Sequence, residues 1–258
     1  MISKAVIKQV RALHLKKFRE QSGLFLAEGP KIVHELLRSE GWKVSDLFAL
    51  PSWTPPPGPA LPNINIVSEK ELEQLSGLQH PNKVLAIVEI PKSLHQISNI
   101  PSEGLYLVLD QIQDPGNLGT IIRIADWFGI SGLFCSADTV DCFNSKVVQA
   151  SMGSIFRIPV HYGSLPDLLV KNSEGPKLPV FGTHLNGDNI FQANLSDKGL
   201  IIMGNEGRGV NPLLKPFINK SLLIPSKSIC GDGADSLNVA IATGIVCAEF
   251  FSRTTGNK

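Results

Sequence analysis

The sequence predicts an α/β protein in two parts: a small leading α/β unit, then a larger unit built on a largely parallel sheet. Three observations carry this. From Leu105 onward, apolar runs of strand length alternate with helical stretches, the order in which parallel sheets are wound. Runs such as Leu105-Tyr106-Leu107-Val108-Leu109 are continuously apolar, as expected of strands covered on both faces. Between Pro91 and Gly104 the chain has prolines at 91 and 101 and little periodicity. That stretch, about 91–104, is read as a linker between a first domain of residues 1–96 and a second of 105–258. A boundary in the 51–62 loop would leave a first piece too small to hold a core.

Taken in order, Ser3 to Arg19 reads as one helix, because Val6, Val10 and Leu13 fall at i, i+4 and i+7. Leu24 to Ala27 reads as a strand entering Glu28-Gly29-Pro30, and Pro30 suits the first turn of a helix through Arg38. Val44–Leu50 is the next strand. The six prolines within 51–62 make a loop, and 64–67 is a further strand. Ser68 with Glu71 has capping-box spacing for a helix near 69–76, and Val84–Ile90 closes the unit. In the second unit the strands fall at 105–110, 132–135, 155–160, 179–183, 200–203 and 221–224. Its helices fall near 117–129, 144–152, 164–171, 211–217 and 236–252.

Composition narrows the classes. With 43% hydrophobic and 18% charged residues, 258 residues make a globular protein with ample core. No apolar run approaches the roughly 20 residues of a membrane span, so no membrane partner is expected. A basic N-terminus without a signal-peptide core points to a cytoplasmic address. The four cysteines show no paired spacing and read as reduced, packed thiols. The six histidines are scattered, so no metal is expected. The net charge of +1 conceals an asymmetry. Residues 1–20 hold Lys4, Lys8, Arg11, Lys16, Lys17 and Arg19 against Glu20 alone. Such a segment on a neutral protein suits a phosphate-bearing partner, although a solvated helix face would read the same way.

Three clusters lie at strand C-terminal ends, where parallel sheets bind ligands. The first runs from Asp110 to Gly119, with Asn117 placed to cap a helix that bears Arg123 among isoleucines. The second is the turn Gly204-Asn205-Glu206-Gly207-Arg208-Gly209, whose glycines let a ligand lie against the main chain. It is neither a dinucleotide fingerprint nor a phosphate loop, and taken alone a plain tight turn fits it equally. The third is Ser236-Leu237-Asn238, opening the last apolar helix, with Ser236 as an ordinary N-cap the simpler reading.

The stretches LDQIQDPGNLGTIIRIADWFGI, IIMGNEGRGV with SLLIPS, and DSLNVAIATGIVCAEFF resemble the three successive motifs of the SpoU (TrmH-like) RNA ribose 2′-O-methyltransferases of the SPOUT class. Residues 2–50, above all FLAEGPKIVHELL, resemble that family's N-terminal RNA-binding domain, a small ribosomal-protein-like α/β unit. The resemblance implies a SPOUT-type catalytic domain closed by a trefoil knot, a homodimer, and S-adenosylmethionine as methyl donor without a metal. It implies donor contacts at Gly204, Ile224 and Leu237, with Thr183, Asn205, Glu206, Gly207 and Asn238 nearby. It further implies a catalytic pocket of Asn117, Arg123, Glu206, Ser236 and Asn238, with Arg123 supplied across the dimer. The RNA expected is ribosomal RNA ahead of transfer RNA, held by the basic residues of the leading helix. A non-catalytic RNA-binding module, such as an assembly factor, is the alternative. Two departures stand out: Ile124 where the motif usually has a small polar residue, and a long stretch from Ser226 to Asp235.

Overall fold

The computed structural model describes residues 2–57, 63–91, 100–226 and 236–255, without the side chains of 185, 254 and 255. These residues form two compact units, one of 1–94 with 141–157 and the other of 95–140 with 158–258. Residues 141–157 pack within the first unit, although in sequence they interrupt the second.

In the first unit, strands β1 (Leu24–Glu28), β2 (Val44–Ala49), β3 (Ile64–Ile66) and β4 (Val84–Glu89) form a sheet in the order β1-β4-β2-β3. β4 is antiparallel to both β1 and β2, while β3 is parallel to β2. Alternation along each strand gives two buried faces. Leu26, Phe48, Leu85 and Ile87 join Val10 of helix α1 (Lys4–Ala12), Leu13 just after it, and Leu72 and Leu75 of α4 (Glu69–Leu75). Phe25 points the other way, its ring 4.6 Å from Phe143 and 5.8 Å from Trp42. Helix α3 (Pro30–Arg38) starts on Pro30 as expected and buries Ile32, Val33 and Leu36. The capping box at Ser68 is formed, and hydrogen bonds from the Ser68 amide, the Ile2 amide and the Ser68 hydroxyl hold the Glu71 carboxyl down at about 2.

The single helix expected over 3–19 is two. α1 ends at Ala12 and α2 (Lys16–Ser22) begins after Leu15, whose backbone is extended. The break turns Arg19 inward, where its guanidinium donates to the Leu13 carbonyl at 2.8 Å and pairs with Asp141 at 2.6 Å. Arg19 is 2% exposed, so it leaves the set of cations open to a phosphate. Removing one partner of a fully buried pair costs roughly 3–5 kcal/mol. The Asp141 side chain keeps 15% exposure, so Asp141→Ala is expected to lower stability by about 2 kcal/mol in a urea titration.

In the second unit, β5 (Leu105–Leu109), β6 (Gly132–Ser136), β7 (Val160–Gly163), β8 (Val180–Asn189), β9 (Gly199–Met203) and β10 (Lys220–Leu223) form one sheet, ordered β10-β8-β9-β5-β6-β7. Each of its neighbouring pairs is parallel. Tyr106, Val108, Val180, Leu200 and Ile202 face α7 (Leu165–Glu174) through Leu165, Leu168 and Leu169. The alternate residues Leu107, Leu109, Ile201 and Met203 are equally buried. On that side the Phe181 ring meets Phe250 of α8 (Val239–Thr255) edge-on at 5.0 Å.

Two further expectations are corrected. The strand read at 155–160 is a 3-10 turn, Ser154–Phe156, followed by β7 from Val160. Its apolar residues serve an aromatic cluster in the first unit, where Phe156 lies 5.3 Å from Trp42 and accepts the indole hydrogen bond. The helix read at 211–217 is reduced to a 3-10 turn at Lys215–Phe217, because Asn211-Pro212 forms turns rather than a first helical turn. The helix read at 144–152 is α6 (Ser145–Ser151), which packs on β1.

Candidate active site

Sheet order places β5 at a switch point. From it the chain steps one way to β6 and β7, while β9, β8 and β10 lie on its other side. Open parallel sheets bind ligands at the carboxyl ends of the strands beside such a point. All three sequence clusters converge there.

Helix α5 (Pro115–Trp127) follows β5. Its N-cap is Asp114, whose carboxylate accepts from the Asn117 amide at 2.8 Å, and Pro115 fills the first helical position. Asn117 is therefore not the cap that its spacing suggested. Freed from that duty, its side chain donates to the Glu206 carboxylate at 2.6 Å and accepts from the Asn238 amide at 2.9 Å. Asn238, not Ser236, caps α8, its oxygen receiving the Ala240 and Ile241 amides. One hydrogen-bonded line, Glu206–Asn117–Asn238, thus ties together the three strand-end segments.

The glycine turn after β9 closes on itself through paired backbone bonds between Asn205 and Gly209, at 3.0 and 2.9 Å. The Asn205 carboxamide oxygen collects the Gly207 and Arg208 amides, and its nitrogen donates to the Gln111 carbonyl at 2.9 Å. Beside the turn, β10 loses register with β8: Ser221 pairs with Gly182, but Leu222 pairs with Asp188. Residues 183–187 are left out of that ladder, and the Thr183 hydroxyl donates to the Ile202 carbonyl at 3.1 Å.

These elements enclose a cavity of about 440 Å³, within the roughly 300–1,000 Å³ usual for small-molecule sites. The turn from Gly204 to Val210 forms one wall, Leu222 to Ile224 another, and Ser236, Leu237, Val239 and Ala242 a third. Thr183 and His184 stand at the register break. Of the residues expected at the site, Thr183, Gly204, Asn205, Glu206, Gly207, Ile224, Ser236 and Leu237 line this cavity. Asn117 and Asn238 reach it through Glu206. Arg123 does not line it; the residue is exposed on α5. Sequence reading missed His184 and Lys215, which also line the cavity, and named Arg208 only as part of the glycine turn. It passed over Asp110 as well, buried at the end of β5 and bonded to the Asn211 amide.

Among the described residues, Cys135 and Cys247 offer no nucleophile here. Cys247 is buried in α8 with its thiol pushed up to about 12, and burial raises Cys135 further still. Among the described residues no group of three His, Cys, Asp or Glu side chains could hold a metal, and no helix is long and apolar enough to cross a membrane.

A cavity walled by a glycine turn at the switch point of a parallel sheet is the arrangement in which α/β proteins commonly hold nucleotide-like ligands. Comparison with known proteins sharpens this. Residues 104–248 match the SpoU rRNA methylase family, and residues 4–86 match an MRM3-like substrate binding domain. The 23S rRNA (guanosine(2553)-2′-O)-methyltransferase RlmP of Bacillus subtilis is 33% identical over 242 residues, 93% of this chain and 93% of its own. A TrmH-family protein from Porphyromonas gingivalis superposes with a TM-score of 0.84 at 33% identity, covering 98% of this chain and 99% of that one. An AdoMet-bound rRNA methyltransferase from Sinorhizobium meliloti gives 0.83 at 32% identity, covering 98% and 96%. The chain belongs to the SpoU rRNA methylase family and is an S-adenosylmethionine-dependent RNA methyltransferase.

Proposed function

We propose that this protein methylates a ribose 2′-hydroxyl of ribosomal RNA, taking the methyl group from S-adenosylmethionine in the cavity beside Gly204. The observation that carries the proposal is the Glu206–Asn117–Asn238 line, which joins all three motif segments at the wall of one cavity. The residues present suit the donor. Gly204 lines the cavity at a point where a side chain would strike the main chain of Gly209 and Val210, and Glu206 supplies a carboxylate for a cationic ligand. S-adenosylmethionine supplies a methyl group already activated on a sulfonium. The protein's own task is alignment, which in an in-line displacement delivers much of the rate.

In this proposal Gly204, Ile224 and Leu237 hold the donor through their backbones, with Thr183, Asn205 and Gly207 around them. Asn117, Glu206, Ser236 and Asn238 shape the ribose side, and Arg123 holds an RNA phosphate or the ribose. Because Arg123 is exposed on α5 and lies off the cavity wall, we propose that it enters the site of a second subunit. Exposed apolar side chains support such a homodimer: Trp127 is 81% exposed on α5, and Ile241 is 58% and Phe251 46% exposed on α8. The trefoil knot of the SPOUT class belongs to the same proposal.

Residues 1–96 are proposed as the RNA-holding domain. Lys4, Lys8 and Arg11 are exposed and one to two turns apart along α1, with Lys16 and Lys17 exposed on α2. Replacing Lys4, Lys8 and Arg11 together by Gln is expected to weaken RNA binding at low salt by roughly 10-fold or more and to flatten its salt dependence by about two phosphate contacts. Donor affinity measured by calorimetry should not change. The activity itself is tested by incubating the protein with donor and ribosomal RNA, then digesting to nucleosides for mass spectrometry. A 2′-O-methylated nucleoside is expected. Methylation on a base would overturn the ribose assignment, and no heat of donor binding at high protein concentration would leave only an RNA-binding module.

A further inference from the structure

We infer that Asp110 is a positioning residue for the methyl donor, acting through the backbone of the glycine turn. The inference rests on the donor site proposed above. Asp110 directly follows the central strand β5 and is 3% exposed. Its Oδ2 accepts the Asn211 amide at 2.7 Å, and its own amide donates to the Met203 carbonyl at 3.0 Å. Met203 and Asn211 bracket the turn, so one residue grips both of its ends.

The neighbouring residue adds a second grip. Gln111 sits at φ +57°, a left-handed conformation uncommon for a side chain of its size, and its carbonyl receives the Asn205 carboxamide at 2.9 Å. That conformation is itself held: the Gln111 amide donates to the Ser136 hydroxyl at 2.9 Å, and Ser136 and Thr139 exchange a hydrogen bond at 3.0 Å. The turn is therefore anchored to the end of β5 at its start, at Asn205 and at its finish. Between those anchors it forms one wall of the cavity. Residues 204–210 lie beyond the ladder of β9 with β5 and β8, so the position of this wall is set by those anchors. Burial favours the neutral form of Asp110, the Asn211 amide opposes that, and Asp138 adds to it. Its carboxyl oxygen accepts the amide in either form.

The test separates acceptor chemistry from packing. Asp110→Asn keeps an oxygen acceptor in the same shape, whereas Asp110→Leu keeps the branching and loses the acceptor. Donor binding by calorimetry is expected to weaken roughly 10- to 100-fold in Asp110→Leu and less than about 3-fold in Asp110→Asn. With saturating donor, most of the turnover of Asp110→Leu should return, a rise in KM ahead of any fall in kcat. Equal donor affinity in Asp110→Leu and the native protein would overturn the inference and leave the donor site standing. Absence of donor binding in the native protein would instead remove the site. Should Asp110→Leu fail to fold, amide exchange in the native protein decides. The Asn211 amide must be strongly protected, and exchange at free-peptide rates would sink the inference.

Discussion

Arg123→Ala is expected to lower kcat by roughly 10²–10³-fold while leaving donor affinity unchanged, the size of effect seen when one preorganised charge is taken from a reacting centre. The structure makes the two halves of that expectation separable. Ile121 and Ile122 beside Arg123 are fully buried whereas Arg123 itself is exposed, so truncating its side chain removes no core contact. Thr120, Arg123 and Trp127 share an exposed stripe at helical spacing, the stripe proposed to meet a second subunit. Two roles for the guanidinium then diverge. A clamp on an RNA phosphate needs a cation, and Lys retains one as a point charge, so Arg123→Lys should keep partial activity. A base that removes the hydroxyl proton has to be neutral, a state guanidinium rarely reaches in proteins. Under that role Lys, which titrates lower, would show almost no activity below its own pKa and a pH–rate profile displaced from the native one. We expect a common profile with reduced amplitude, as the clamp requires.

How far the sequence could be read differs between the sheet and the site, for physical reasons. The parallel sheet was legible because β5, β6 and β9 are apolar on both faces, a pattern that only a covered strand sustains. The same rule failed at 155–160. Phe156 is apolar to fill an aromatic cluster in the first unit, beside a buried Ile155, and an apolar run does not reveal which surface it covers. The charge count failed at Arg19 in a related way, since composition cannot tell a solvated cation from one buried against Asp141. At the site, Asn117 was singled out as a cap, a role it does not have. Asp114-Pro115 is the better cap signal, with an acceptor directly before a proline at the first helical position. His184 and Lys215 had no local signal. His184 reaches the cavity through the register break between β8 and β10, a product of pairing between distant segments.

Gly204→Val is expected to weaken donor binding by roughly 100-fold or more, the cost of forcing a side chain into a closed backbone turn. A Cβ at 204 would stand 2.4 Å from the Gly209 carbonyl carbon and 2.5 Å from the Val210 nitrogen. Both are main-chain atoms, so neither can swing aside as a side chain would. Relief requires opening the Asn205–Gly209 pair, and with it the wall formed by residues 204–210. Gly209 itself sits at φ +67°, so the far side of the pair has little freedom to adjust. The sheet should survive, because β9 is buried along its whole length and its pairing with β5 and β8 ends at Met203 and Ile202. Circular dichroism should then match the native protein while calorimetry shows the loss. Combined with Arg123→Ala, this variant also tests where the guanidinium acts. In a dimer co-expressed from one chain of each kind, an Arg123 given in trans leaves one pocket with both an intact turn and an intact guanidinium. Such mixed dimers, isolated through two different tags, should recover about half of the native activity. An arginine acting within its own subunit predicts no recovery, because every pocket then lacks either its turn or its cation.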